Sequence, residues 1–100
     1  MSQRRIAFPA LPWVPGTHPL ERKKPAGPAG LLEFGPGFAD PNWCERGHSG
    51  YVIAGVLRFE FADGTEEVGA GEGFAFEPGT RHRASNPGTV PVVLFIVSAP

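Results

Sequence analysis

Fourteen glycines and twelve prolines interrupt this 100-residue chain. They repeat at no fixed period but fall so often that no ten-residue window carries a helical apolar stripe free of both. Each proline removes a backbone donor and fixes φ, and each glycine eases a turn. A chain punctuated in this way has room for short strands and tight turns, and little for helix. Hydrophobic residues make up 41% and charged residues 19%, the usage of a packed globular domain rather than of a disordered segment. One hundred residues suffice for a single core.

The first twenty-eight residues hold Pro9, Pro12, Pro15, Pro19, Pro25 and Pro28. They read as an extended arm (1–28) packed outside the domain, with one short edge strand near residues 4–9 from the alternation of Ile6 and Phe8. From Ala29 the pattern sharpens into a barrel segment (29–100). Gly30 to Phe34 is a strand, and Tyr51-Val52-Ile53 is another. Val56 to Phe61 alternates, with Leu57, Phe59 and Phe61 on one face and Arg58 and Glu60 on the other. Asp63-Gly64 predicts a hairpin returning antiparallel through Glu66 to Val68. Short strands follow at Phe74–Phe76, Arg81–Ala84 and Val92–Val97, the last apolar on both faces. Seven or eight strands at these spacings make a small sandwich or barrel.

Charge is uneven along the chain. Residues 1–25 carry Arg4, Arg5, Arg22, Lys23 and Lys24 against Glu21 alone, whereas the remainder carries four arginines against nine acids. No aromatics interleave with the basic run to stack bases, so no nucleic-acid partner is expected. No apolar run reaches the ~20 residues of a membrane helix, and no signal-peptide core is present. A single cysteine excludes an internal disulfide framework and fits a reducing cytoplasm.

Chemistry concentrates in two polar stretches between apolar strands. Asn42, Cys44 and His48 are separated by even numbers and share one face of an extended chain, provided no bulge intervenes. His82 lies on a later strand, beyond the Gly79 turn, which can bring it to that face. A thiol, two imidazoles and an amide oxygen suit zinc, iron, nickel or copper better than magnesium or calcium. The same residues also read as plain structure, a lone cysteine acting as a small hydrophobe and core histidines held by hydrogen bonds. His18, in the arm, reads as an exposed bystander. Phe59, Phe61, Phe74 and Phe76 read as core, and Arg81 and Arg83 face outward by parity. Tyr51, an odd number of steps from His48, is a candidate for the core.

The stretches Pro36–Gly55 and Gly71–Asn86 resemble the two signature motifs of the cupin superfamily. In the second motif Gly71, Gly79, His82 and Asn86 fall at the family spacing, with Glu77 at the proline position and Pro78 one residue late. In the first, anchored on Gly55, His48 takes the glutamate position, and Cys44 and Asn42 take the two histidine positions. Gly50-Tyr51-Val52-Ile53-Ala54-Gly55 resembles the family's Y-V-L-x-G run. The resemblance implies an all-β, single-domain cupin-type β-barrel (double-stranded β-helix or jelly roll) with little or no helix. It also implies a pocket inside one end and, frequently, a homodimer. The ligand set carried over is Asn42, Cys44, His48 and His82, of which His82 alone is unchanged.

The expectation is therefore a small cupin-like protein that binds a small organic ligand through a divalent transition metal held in the barrel. The alternative is a metal-dependent cupin enzyme of dioxygenase, isomerase or decarboxylase type.

Overall fold

Residues 56–69 form a hairpin in the computed structural model, which describes residues 5–98 of the chain. β5 (Val56–Phe61) and β6 (Gly64–Gly69) pair antiparallel from Val56↔Gly69 to Phe61↔Gly64, the turn that Asp63-Gly64 predicts. On its other edge β5 pairs with β8 (His82–Ser85), giving a three-stranded sheet ordered β6-β5-β8. The larger sheet is six-stranded. It contains β1 (Val14–Pro15), β2 (Glu21–Ala26), β3 (Ala29–Phe34), β9 (Val92–Ser98), β4 (His48–Ala54) and β7 (Gly73–Phe76), in that spatial order. All pairings are antiparallel. Among the described residues the fold is all-β, relieved only by a 3₁₀ turn at Phe8–Ala10.

Alternation supplies the core. Leu57 and Phe59 of β5 face Val52 of β4, Val92 and Leu94 of β9, and Phe34 of β3, with Phe38 and Val68 closing the ends. Leu57, Leu94, Val52 and Val92 lose essentially all solvent contact, which favours folding by about 1.5–3 kcal/mol for each side chain. Phe59, Phe61, Phe74 and Phe76 form one cluster of edge-on, tilted and stacked rings with centroids 4.9–6.0 Å apart. Tyr51 is half exposed on the opposite face of β4 rather than in the core, because Val52 takes the inward position.

The proline-rich segment differs from the arm expected of it. Glu21–Ala26 is a six-residue strand paired along its length with β3, from Glu21↔Phe34 to Ala26↔Ala29. The larger sheet therefore runs across the expected boundary at residue 28. Proline is tolerated there for a physical reason. β1 pairs only with Arg22 and Lys23, so among the described residues one side of β2 at Pro25 has no neighbouring strand to receive the missing donor. The strand expected near residues 4–9 is instead the 3₁₀ turn, with proline in its first turn, and Arg4 lies outside the described residues. Phe8 lies edge-on to Phe95 at 6.0 Å, so this segment packs on the outer face of the larger sheet.

The basic run is spent on the structure. Arg22 forms a two-bond ion pair with Glu33. Lys24 is buried, donates to the Phe8 carbonyl at 2.8 Å, and lies 4.9 Å from the Trp13 ring centroid. Among the described residues no helix is long and apolar enough to cross a membrane.

Candidate metal centre

Two sheets contribute to one cluster. In the smaller sheet, His82 begins β8 and sits between Phe61 of β5 and Cys44, which joins β8 through a single bridge. The bridge has both backbone bonds: Cys44 N–H to the His82 carbonyl at 2.8 Å and His82 N–H to the Cys44 carbonyl at 2.9 Å. Side chains of directly paired residues point to the same face, so the Cys44 thiol and His82 ring both enter the interior. In the larger sheet, His48 begins β4 and pairs with Phe76 and Ser98, entering the same interior from the opposite wall.

The chain between Cys44 and His48 is pinned in place. Gly79 N–H donates to the Glu45 carbonyl at 2.8 Å, which ties the turn before β8 to the segment before β4. Gly47 is buried there, and a Cβ on it would come within 2.6 Å of the Pro78 nitrogen. Only glycine lets the two segments approach so closely. Gly79 itself has φ +93°, a turn conformation that side-chain-bearing residues rarely adopt.

The candidate ligand atoms of Cys44, His48 and His82 all lie within 4.8 Å of one another. Ligands of a shared zinc or iron stand about 2.0–2.3 Å from it, hence at most about 4.6 Å from each other. The three atoms thus stand close to the spacing of a shared coordination sphere. The ring centroids of His48 and His82 are 5.2 Å apart and nearly perpendicular, at 84°.

Hydrogen bonds prepare the donors. His82 Nδ1 lies 2.8 Å from the Thr80 carbonyl, which can only accept, so Nδ1 carries the proton and Nε2 presents a lone pair. His48 Nδ1 meets the Ser98 hydroxyl at 3.1 Å. The Cys44 sulfur accepts the Arg46 N–H at 3.4 Å, a contact that fixes where the sulfur points. Burial, aided by the charges of His82 and Arg46, pushes His48 down to about 4, so its ring is neutral and free to ligate at neutral pH.

A cavity of about 290 Å³ surrounds the cluster. Its apolar wall includes Phe34, Phe38, Leu57, Phe59 and Leu94, and Asn42 lines it from an exposed position at the rim. Cys44, His48 and His82 do come together, but from opposite walls rather than along one face of a continuous strand, because the chain crosses between the sheets from Cys44 to His48. Asn42 reaches only the rim, where its backbone N–H bonds the Asp40 carboxylate at 3.0 Å. Asn86 is not at the site. It is buried, donating to the Phe34 and Val90 carbonyls at 3.0 and 2.9 Å and accepting from Gly88 N–H at 2.9 Å. Arg81 and Arg83 face away, their guanidiniums 4.8 and 4.4 Å from the Trp43 ring centroid.

One cavity residue escapes the sequence pattern. His18, expected as an exposed bystander, is half-buried and lines the same hollow, edge-on to Phe38 at 4.9 Å. Its place depends on how the β1–β2 hairpin folds back against the loop at Phe38, which no local spacing encodes.

The cupin-domain family model matches residues 30–98. Among solved structures, a sugar phosphate isomerase of the cupin superfamily from Silicibacter pomeroyi is similar, with TM-score 0.77 and 15% identity over 96% of this chain and 75% of that one. KdgF from Halomonas sp. has TM-score 0.71 and 22% identity, over 95% of this chain and 93% of that one. Drosophila melanogaster CENP-C, in its complex with CAL1, has TM-score 0.77 and 13% identity, over 93% of this chain and 83% of that one. No curated protein matches the chain. The isomerase and CENP-C share the architecture at such low identity that it carries no single activity. With the family model spanning more than two-thirds of its length and both sheets in the matching arrangement, the chain belongs to the cupin family.

Proposed function

We propose that the protein binds a small organic molecule through a divalent transition metal held by Cys44, His48 and His82. One observation carries this reading: a thiol and two imidazoles from both walls of the barrel converge within 4.8 Å, at the edge of a ligand-sized hollow. A mixed sulfur and nitrogen set favours zinc, iron or nickel. Such an ion acts as a Lewis acid toward oxygen atoms of the ligand. The chain's own residues do the rest. Thr80 orients His82, Ser98 steadies His48, and the Arg46 amide supports the sulfur. Asn42, at the rim, is the remaining candidate donor.

Three protein ligands leave coordination positions open, as at catalytic metals. The Glu21 and Asp40 carboxylates on the cavity wall favour a second reading, an enzyme of dioxygenase, isomerase or decarboxylase type. Turnover of any bound molecule by metal-loaded protein, abolished in Asp40→Asn, separates the enzyme from the binding protein.

The free thiol at the site fits a reducing, cytoplasmic setting. Tyr51, Ile53 and Val97 stand 50%, 50% and 37% exposed on the outer face of the larger sheet, an apolar surface suited to a second copy of the chain. Elemental analysis of untagged protein, with Cys44→Ser and His82→Ala beside it, tests the metal reading.

A further inference from the structure

We propose that His18 is a ligand-recognition residue, donating a hydrogen bond from Nε2 to a neutral oxygen at the end of the bound molecule remote from the metal. The inference rests on the metal reading for the near end and extends it to the far end.

His18 lines the cavity that holds Cys44, His48 and His82, yet it lies outside their cluster. Its tautomer is fixed by its neighbour. Leu20 N–H donates to His18 Nδ1 at 3.0 Å, so Nδ1 bears no proton and the neutral ring carries it on Nε2. Nε2 has no hydrogen-bond partner among the described residues. The backbone that carries the ring is also fixed: Glu21 N–H bonds the His18 carbonyl at 2.9 Å, and the Glu21 carboxylate accepts from Thr17 N–H at 3.0 Å. Phe38, against which the ring packs, is itself stacked on Phe34 at 4.1 Å and 3°.

The strand register separates the two ends. Cys44 bridges to His82, whereas Ala39, next to Phe38, bridges to Ser85 three residues further along β8. That is about 10 Å at the rise of a strand. Between the ends the wall is apolar, with Phe34, Leu94 and Ile96. Glu21 and Asp40 also line the hollow and would repel a second anionic group. The geometry therefore suits a metal-chelating head, a ring-sized apolar body and a hydroxyl or carbonyl oxygen at the tail.

The test compares two probes that differ by one distal oxygen, p-hydroxymandelate and mandelate, by calorimetry on zinc-loaded and zinc-free protein. We expect the wild type to prefer the hydroxylated probe by about fivefold to tenfold, the worth of one neutral hydrogen bond. His18→Phe, which keeps the ring contact with Phe38, should lose the preference while binding zinc as before. Equal wild-type affinities, a preference that survives in His18→Phe, or no binding of either probe at millimolar concentration overturns the proposal. Failure of the metal reading shows separately, as absence of zinc binding in the wild type.

Discussion

Cys44 and His82 are locked side by side by a reciprocal pair of backbone hydrogen bonds, 2.8 and 2.9 Å long, across an otherwise isolated bridge. The bridge makes their convergence a property of the backbone rather than of two mobile side chains. His48 is the member that arrives from the other sheet, and it does so because Gly47 slips past Pro78. Gly47→Ala should therefore separate His48 from its partners and weaken zinc binding at least about tenfold, as altered support of metal ligands does. A titration against a chromophoric chelator measures this; an unchanged affinity would mean that the close approach is unimportant.

Asn86 supports the barrel, not its contents. Its amide serves three backbone groups from within the protein. Asn86→Ala leaves those groups unpaired and should cost about 2–4 kcal/mol, taking ~1–3 kcal/mol as the cost of one buried orphan. Urea unfolding measures the loss. A cost below about 0.5 kcal/mol, the size of a surface effect, would contradict the structural role.

Acid should destabilise the metal-free protein through His48. Its folded value, pushed down to about 4 by burial first and by the charges of His82 and Arg46 next, lies below the ordinary 6.5. Between those values the unfolded chain binds the proton and the folded one does not, so stability falls as pH drops from 6.5 toward 4. His48 is only half-buried, and solvent screening limits the change to roughly 1–2 kcal/mol. Urea midpoints across this range should slope in the wild type and flatten in His48→Gln. Parallel slopes would remove His48 as the cause.

The outer face of the larger sheet predicts self-association. Light scattering at micromolar concentration should give twice the 10.7 kDa chain mass. Replacing exposed Ile53 by Asp should return the monomer, because a buried unpaired carboxylate is costly. A wild-type monomer at that concentration would end this expectation.

How much of this was readable from residue order follows from where the information is local. β5 and β6 declare themselves, because alternation from Val56 to Phe61 and the Asp63-Gly64 pair are short-range signals. Cys44, His48 and His82 were visible as a candidate set through residue type and the Gly79 turn, but strand parity does not describe how they meet, since Cys44 and His48 stand on different sheets. β2 was hidden, since Pro25 argues against a strand unless the missing β1 coverage at that residue is known. His18 was hidden for a related reason: its neighbours in space, Phe38 and the cavity wall, are supplied by tertiary pairing. Tyr51 lies an odd number of steps from His48, and that parity, rather than its aromatic character, gives the outward face it takes.

The most direct measurement is the metal content of the protein as purified, paired with a zinc titration of wild type, Cys44→Ser and His82→Ala. One ion per chain in the wild type, with affinity reduced at least about tenfold in each variant, is the predicted result. A wild type that takes up no zinc, iron or nickel and is no less stable after chelation would contradict it.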